Sequence, residues 1–164
     1  QHGYRKYHMS TLVDKALEYA SEKHKDQLDD QGRPYFFAHL VQVHSILNDV
    51  TDDPETLCAG ILHDIIEDTN TTYEDLIHEF NKPIADLVRE MTHEGDRESG
   101  YYFPHLHSRK AVMVKFADRL SNLSRMDDWP GDRQLTYLNM SKFWSTTPPG
   151  DTVSSPNTLR DEED

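Results

Sequence analysis

The chain has 164 residues, a formal net charge of −13, a hydrophobic fraction of 35% and a charged fraction of 29%. That length fits one domain able to bury about 70% of its unfolded surface, and the negative balance argues against nucleic acid or an anionic membrane as the main partner. A small phosphorylated molecule is compatible with it, because a bound cation and a few basic side chains can reverse the field at one site.

Residues 1–9 show no pattern and read as an N-terminal extension; the first residue is not methionine, and Met9 offers a natural start. Ser10 or Thr11 caps a first helix with the apolar stripe Leu12, Val13, Ala16, Leu17 and Ala20, running to about Lys25. Residues 26–34 are a loop punctuated by Gly32 and Pro34. A second helix, from about Tyr35 to Asn48, carries Phe36, Phe37, Leu40, Val41, Val43, Ile46 and Leu47 on a wide face expected to be buried, together with His39 and His44. Asp53-Pro54 opens a third helix, with Asp53 as the cap and Pro54 at the first helical position.

Thr72 starts a short helix to about Phe80, and another follows from Pro83 to Met91. Residues 93–105 read as a loop, able to fold over a pocket but simplest as a connector. A long helix spans about Ser108 to Met126, Trp129-Pro130-Gly131 breaks it, and a last helix runs from about Arg133 to Trp144. The predicted fold class is all-α, with residues 10–145 as one domain and 146–164 as an acidic tail disordered by composition. Cys58, the one cysteine, sits among apolar neighbours and reads as a buried thiol. No segment approaches the roughly 18 apolar residues of a membrane span, and no signal-like stretch occurs, so the chain reads as soluble and cytoplasmic.

The third helix ends in Leu62-His63-Asp64-Ile65-Ile66-Glu67-Asp68-Thr69, which packs an imidazole and three carboxylates behind an apolar run. The stretch reads as a continuation of the helix, and 3.6 residues per turn put His63 and Glu67 on one face, with Asp64 and Asp68 beside them. Clustered carboxylates at a buried helix end repel one another unless a cation or hydrogen bonds compensate, which points to a metal site. A solvent-facing acidic helix end is the plainer reading, and the apolar run argues against it. His39 and Asp118 are two further candidates on otherwise apolar helices. Alone, each reads as structural: a hydrogen-bonded core histidine, and an Asp118 paired with Arg119 or Arg125. Together with His63 and Asp64 they make a donor set for Mn²⁺, Fe²⁺ or Zn²⁺.

The order His39, His63-Asp64, Asp118 resembles the H…HD…D signature of HD-domain phosphohydrolases. Within that group the chain is similar to the hydrolase domain of RelA/SpoT-type (p)ppGpp hydrolases and their small stand-alone relatives. Gly32-Arg33-Pro34-Tyr35 before His39 resembles G-x-P-Y-x-x-H, His63 to Thr69 resembles H-D-x-x-E-D-T, and Lys115 to Asn122 resembles K-L-A-D-R-L-x-N. His24-Lys25-Asp26-Gln27 resembles an upstream H-x-x-Q. The resemblance covers about residues 10–145, and its E-D-T extension is the most discriminating part.

What the resemblance implies is an HD-domain helical bundle around a central metal site, removing the 3′-pyrophosphate of a guanosine nucleotide with Mn²⁺. By position, His39, His63, Asp64 and Asp118 would hold the ion, and Glu67 and Asp68 would orient and deprotonate water. Asn122 would contact the nucleotide, with Lys115, Arg119, Arg125, Arg33 and Tyr35 as further substrate-side candidates. Lys115 and Arg119 read equally well as snorkelling surface residues. The chain is too short for the synthetase and regulatory regions of the long relatives, so a hydrolase-only protein is expected.

The sequence also departs from the family. Where the family has Arg-Lys after H-x-x-Q to meet the base, this chain has Asp29-Asp30; Leu40 replaces the usual proline, and Arg125 is displaced by one. The expected partner is therefore a small phosphorylated nucleotide, with no nucleic acid and no membrane. The alternatives are another substrate, such as NADPH or a deoxynucleotide, or a non-catalytic nucleotide-binding module. His24 reads as a brace of the first loop. His44, His78, His93, His105 and His107, with no carboxylate partner at helical spacing within the motifs, are given no ligand role.

Overall fold

The computed structural model of the chain describes residues 11–96, 98 and 100–140. The extension 1–9, the tail 146–164, Arg97 and the expected last turn at 141–144 lie outside these residues. Helix α1 (Leu12–Lys23) is capped by Thr11: its hydroxyl accepts from the Asp14 N–H while the Asp14 carboxylate accepts from the Thr11 N–H. Such a cap is worth about 1 kcal/mol. The helix ends two residues earlier than expected, and a loop leads to Tyr35. Within it Asp29 Oδ1 accepts from the Gln31 and Arg33 N–H groups, and Gly32 takes φ +76, a left-handed turn that favours glycine.

The second helix begins as a π-turn, Phe36–Leu40, and continues as α2 (Val41–Asn48). The expected single helix is thus widened by one turn where His39 enters the core. Helix α3 (Pro54–Leu62) is the centre of the fold: Thr56 to Leu62 are all buried, and it packs against α1 and α2 as well as the later helices α6 and α7. A Cβ at Gly60 would run into Leu47 Cδ1, so glycine leaves room for the Leu47 side chain between α2 and α3. Cys58 is fully buried and its thiol is pushed up to about 12 by burial, as expected of an inert core cysteine.

One continuous helix through residue 68 does not form. Helix α3 stops at Leu62, His63 and Asp64 make a turn, and α4 (Ile65–Asp68) follows. The His63 ring donates from Nδ1 to the Gly60 carbonyl at 2.7 Å, the acceptor a continuing helix would offer to the Asp64 N–H. Thr69 then terminates α4, its hydroxyl donating to the Ile65 carbonyl and accepting from the Thr71 N–H.

Helices α5 (Tyr73–Glu79) and α6 (Lys82–Met91) start from the caps Thr72 and Asn81. Residues expected as a loop contain a short antiparallel hairpin, β1 (Glu94–Asp96) with β2 (Gly100–Tyr102), pairing Gly95 with Tyr101. Three-residue strands are too short to show alternation in sequence. Helix α7 (Arg109–Leu123) is capped by Ser108, and α8 is Gly131–Met140. Among the described residues the fold is helical apart from this hairpin and one isolated bridge, Leu28 to Pro34. No helix among them is long and apolar enough to cross a membrane.

Candidate metal centre and the adjoining cavity

Three chain segments bring His39, His63, Asp64 and Asp118 together: the π-turn, the α3–α4 turn that supplies two of them, and the middle of α7. All four are buried. His39 Nε2 lies 3.0 Å and His63 Nε2 3.2 Å from Asp118 Oδ1, and His63 Nε2 lies 3.0 Å from Asp64 Oδ2. His39 Nε2 is 3.6 Å from the same Asp64 oxygen and 3.3 Å from His63 Nε2.

The surroundings fix the tautomer of His63. The Gly60 carbonyl can only accept, so His63 Nδ1 carries the proton and Nε2 turns its lone pair into the cluster. His39 Nδ1 meets Ser121 Oγ at 2.9 Å, and Ser121 has committed its own hydrogen to Gln42 Oε1. Arg125 Nη2, which can only donate, lies 3.2 Å from the same Nδ1, so Ser121 and Arg125 ask for opposite tautomers, while Nε2 faces the cluster in both. Two imidazole nitrogens 3.3 Å apart, with carboxylate oxygens beside them, call for something positive between them. In the protein alone a proton serves. Burial pulls His63 down, but the Asp64 and Asp118 carboxylates more than offset it and hold it well above its ordinary value. His39 is lowered, chiefly by burial. Burial raises Asp118, yet the His39 and His63 hydrogen bonds bring it well below the carboxylate range. His39 Nε2, His63 Nε2 and an Asp118 oxygen lie close enough together to hold one divalent cation, and the Asp64 carboxylate stands beside them, 3.0 Å from His63 Nε2.

Lys115 and Arg119, which could have been surface residues, are both buried. Lys115 Nζ lies 3.6 Å from Asp118 Oδ2 and 3.8 Å from the Phe103 ring centre. Arg119 donates to the Tyr137 hydroxyl. Arg125 does not take Asp118 as its partner. It reaches Asp29 at 3.3 Å and donates to Asn122 Oδ1 at 2.6 Å.

Beside the cluster is a cavity of about 560 Å³. Tyr35 lines it and donates its hydroxyl to Asp64, which ties cavity and cluster together. Glu67 and Asp68 are on its wall, as are Arg33, Asn122 and Arg125; Lys115 and Arg119 do not line it. Glu67 Oε1 accepts from both the backbone N–H and Nδ1 of His93, at 2.7 and 2.8 Å. Asp68 accepts from Gln27 Nε2, whose amide oxygen faces His24 Nδ1 at 2.6 Å, so His24 does brace the first loop. Desolvation, and then the Asp64 charge, push the Asp68 carboxyl up to about 7 even though the residue keeps contact with solvent.

Sequence reasoning missed His93, Trp129, Arg133 and Tyr137 on this wall. His93 has a carboxylate partner after all, supplied by Glu67 from 26 residues away. The one local signal for the others is the i,i+4 spacing of Trp129 and Arg133 at a helix start, which stacks the guanidinium 3.8 Å from the ring centre.

A family model described as "HD domain" matches residues 16–99, and the chain belongs to the HD-domain family. More particularly, it is 32% identical over 146 residues to a probable guanosine-3′,5′-bis(diphosphate) 3′-pyrophosphohydrolase of Mycoplasma genitalium, across 75% of this chain and 19% of that protein. A protein of the same description from Synechocystis is 29% identical over 143 residues, across 80% of this chain and 19% of its own length. The chain thus spans about a fifth of these relatives. A solved structure reported as "A metazoan ortholog of SpoT hydrolyzes ppGpp and plays a role in starvation responses" matches with a TM-score of 0.69 and 29% identity, covering 81% of this chain and 83% of that one.

Proposed function

We propose that the chain is a metal-dependent 3′-pyrophosphohydrolase of guanosine alarmones, converting (p)ppGpp to GDP or GTP and pyrophosphate. The observation that carries this reading is that Glu67 and Asp68 share with three arginines the wall of a cavity beside the His39, His63 and Asp118 cluster. The names of the relatives and of the solved structure point the same way.

In this reading His39, His63, Asp64 and Asp118 hold the ion, with Mn²⁺ as the candidate. A divalent ion there lowers the pKa of water and offsets phosphate charge. Glu67 is pinned at Oε1 by His93, which leaves its second oxygen to orient the attacking water and take its proton. Asp68, with a carboxyl near neutral pH, is suited to return a proton to the departing ribose oxygen. Arg125 and Arg33 supply positive charge along the wall, and Asn122, held between Arg125 and Tyr137, faces the nucleotide. Tyr35 orients Asp64, Lys115 lends positive charge to Asp118, and Arg119 steadies Tyr137.

The test is a panel of ppGpp, pppGpp, NADPH and deoxynucleotides offered with Mn²⁺ to the wild type and to Asp64→Ala and Glu67→Ala. Pyrophosphate release from ppGpp, lost in both variants, is the expected result; turnover of another nucleotide alone would overturn the alarmone assignment. That second reading, a phosphohydrolase of another nucleotide, draws on Asp29-Asp30, where related enzymes carry basic residues. Binding without turnover and without metal dependence would instead mark a non-catalytic module.

A further inference from the structure

The acidic pair that breaks the family pattern does not leave the cavity acidic. The Asp29 side chain is almost wholly buried and binds two arginines, Arg33 Nε at 2.9 Å and Arg125 at 3.3 Å. Asp30 binds a third, Arg133 of α8, at 2.9 Å and 103 residues away in sequence. All three arginines are among the residues that line the cavity. The loop is therefore an anchor for cations that arrive from elsewhere in the chain.

Arg133 is the one whose setting is that of a stacking surface. Its guanidinium lies 3.8 Å from the Trp129 ring centre, and the indole is itself braced edge-on by Tyr137 at 5.4 Å. One edge of the guanidinium is fixed by Asp30 and one face by the indole, while a third of the side chain remains exposed at the cavity wall. A planar cation held this way is preorganised to receive a second flat ring on its open face. A phosphate needs no such plane, and an arginine kept only for phosphate would gain nothing from the indole.

We propose that Trp129 and Arg133, anchored by Asp30, form the base-docking plate of the cavity and make the chain selective for phosphates that carry a heteroaromatic base. This rests on the nucleotide reading of the site and adds to it the residues that grip the base. The plate stands in for the basic residues missing from the first loop.

The experiment uses the full chain with Trp144→Phe, which leaves Trp129 as the one indole of the 2 in the sequence, and with Glu67→Gln to stop turnover. Indole fluorescence is followed while Mn²⁺-loaded protein is titrated with ppGpp, with GDP and with phosphoribosyl pyrophosphate, a phosphorylated ribose with no base. Both nucleotides should quench Trp129 and the baseless ribose should not. Arg133→Ala should weaken nucleotide binding about tenfold or more and leave the baseless ligand unchanged by calorimetry. Arg133→Lys, which keeps the charge and loses the plane, should not restore it. Equal weakening of all three ligands would make Arg133 a phosphate contact and overturn the plate, as would unchanged nucleotide affinity or no nucleotide binding at all. If nucleotides bind and quench while wild-type protein releases no pyrophosphate, the hydrolase reading fails and the plate stands. Hydrolysis indifferent to Arg133→Ala gives the reverse.

Discussion

Two pairs of aspartates show how one residue type serves opposite ends. Asp64 and Asp118 are buried against His39 and His63, whose nitrogens are neutral donors or acceptors according to their protons. Asp29 and Asp30 face Arg33, Arg125 and Arg133, which are always charged. Among the described residues Lys115, 3.6 Å from Asp118, is the one fixed cation beside the first pair, so one negative charge is left for a proton or an outside cation to satisfy. The second is already neutralised by the chain itself. Both are acidic in sequence, and only the first asks for a metal.

The largest effect that would break this contrast is at the first pair. Asp118→Ala should abolish turnover by about 10⁴-fold and should also remove the stabilisation that Mn²⁺ confers on the wild type. That stabilisation is about 2.7 kcal/mol at a hundredfold excess over Kd, and a thermal melt with and without a chelator measures it. Glu67→Gln separates chemistry from metal: turnover should fall about 10²- to 10⁴-fold while the melt keeps its full response to Mn²⁺. A lost response would place Glu67 among the ligands.

At the second pair the expected effect is smaller and of another kind. Asp29→Ala frees Arg33 and Arg125 together, so KM should rise about tenfold with kcat little changed, and stability should drop by about 2 kcal/mol. A collapse in kcat with intact KM would mean that the loop reaches the metal centre. The smallest effect is at His93. Its hydrogen bond to Glu67 raises it above its ordinary value of 6.5. A raised folded value stabilises fully below the unfolded value and is lost as pH climbs through the folded one. His93→Gln should therefore cost stability at about pH 6, cost much less at about pH 9, and lower kcat about tenfold by loosening Glu67. A pH-independent loss would make the pair a packing contact only.

The helices and the residues gathered in the His39, His63 and Asp118 cluster were legible because both depend on local pattern: caps at Thr11, Asp53, Thr72 and Ser108, apolar periodicity, and the spacing within the His63 to Thr69 stretch. The break at His63-Asp64 was not, because it depends on an imidazole competing for one backbone carbonyl. Nor could the sequence show what Asp29 and Asp30 meet. Their partners Arg125 and Arg133 lie about a hundred residues away, and a carboxylate reads the same whether it faces water, a metal or a guanidinium. The His93–Glu67 pair was hidden for the same reason.

Phosphorus NMR of ppGpp incubated with the full chain, with and without Mn²⁺, tests the central claim most directly. The account predicts that the 3′-pyrophosphate signals disappear in step with new signals of GDP and free pyrophosphate, only with metal, and not in His63→Ala. Unchanged ppGpp in the presence of folded, Mn²⁺-loaded wild-type protein, or release of orthophosphate in place of pyrophosphate, would contradict it.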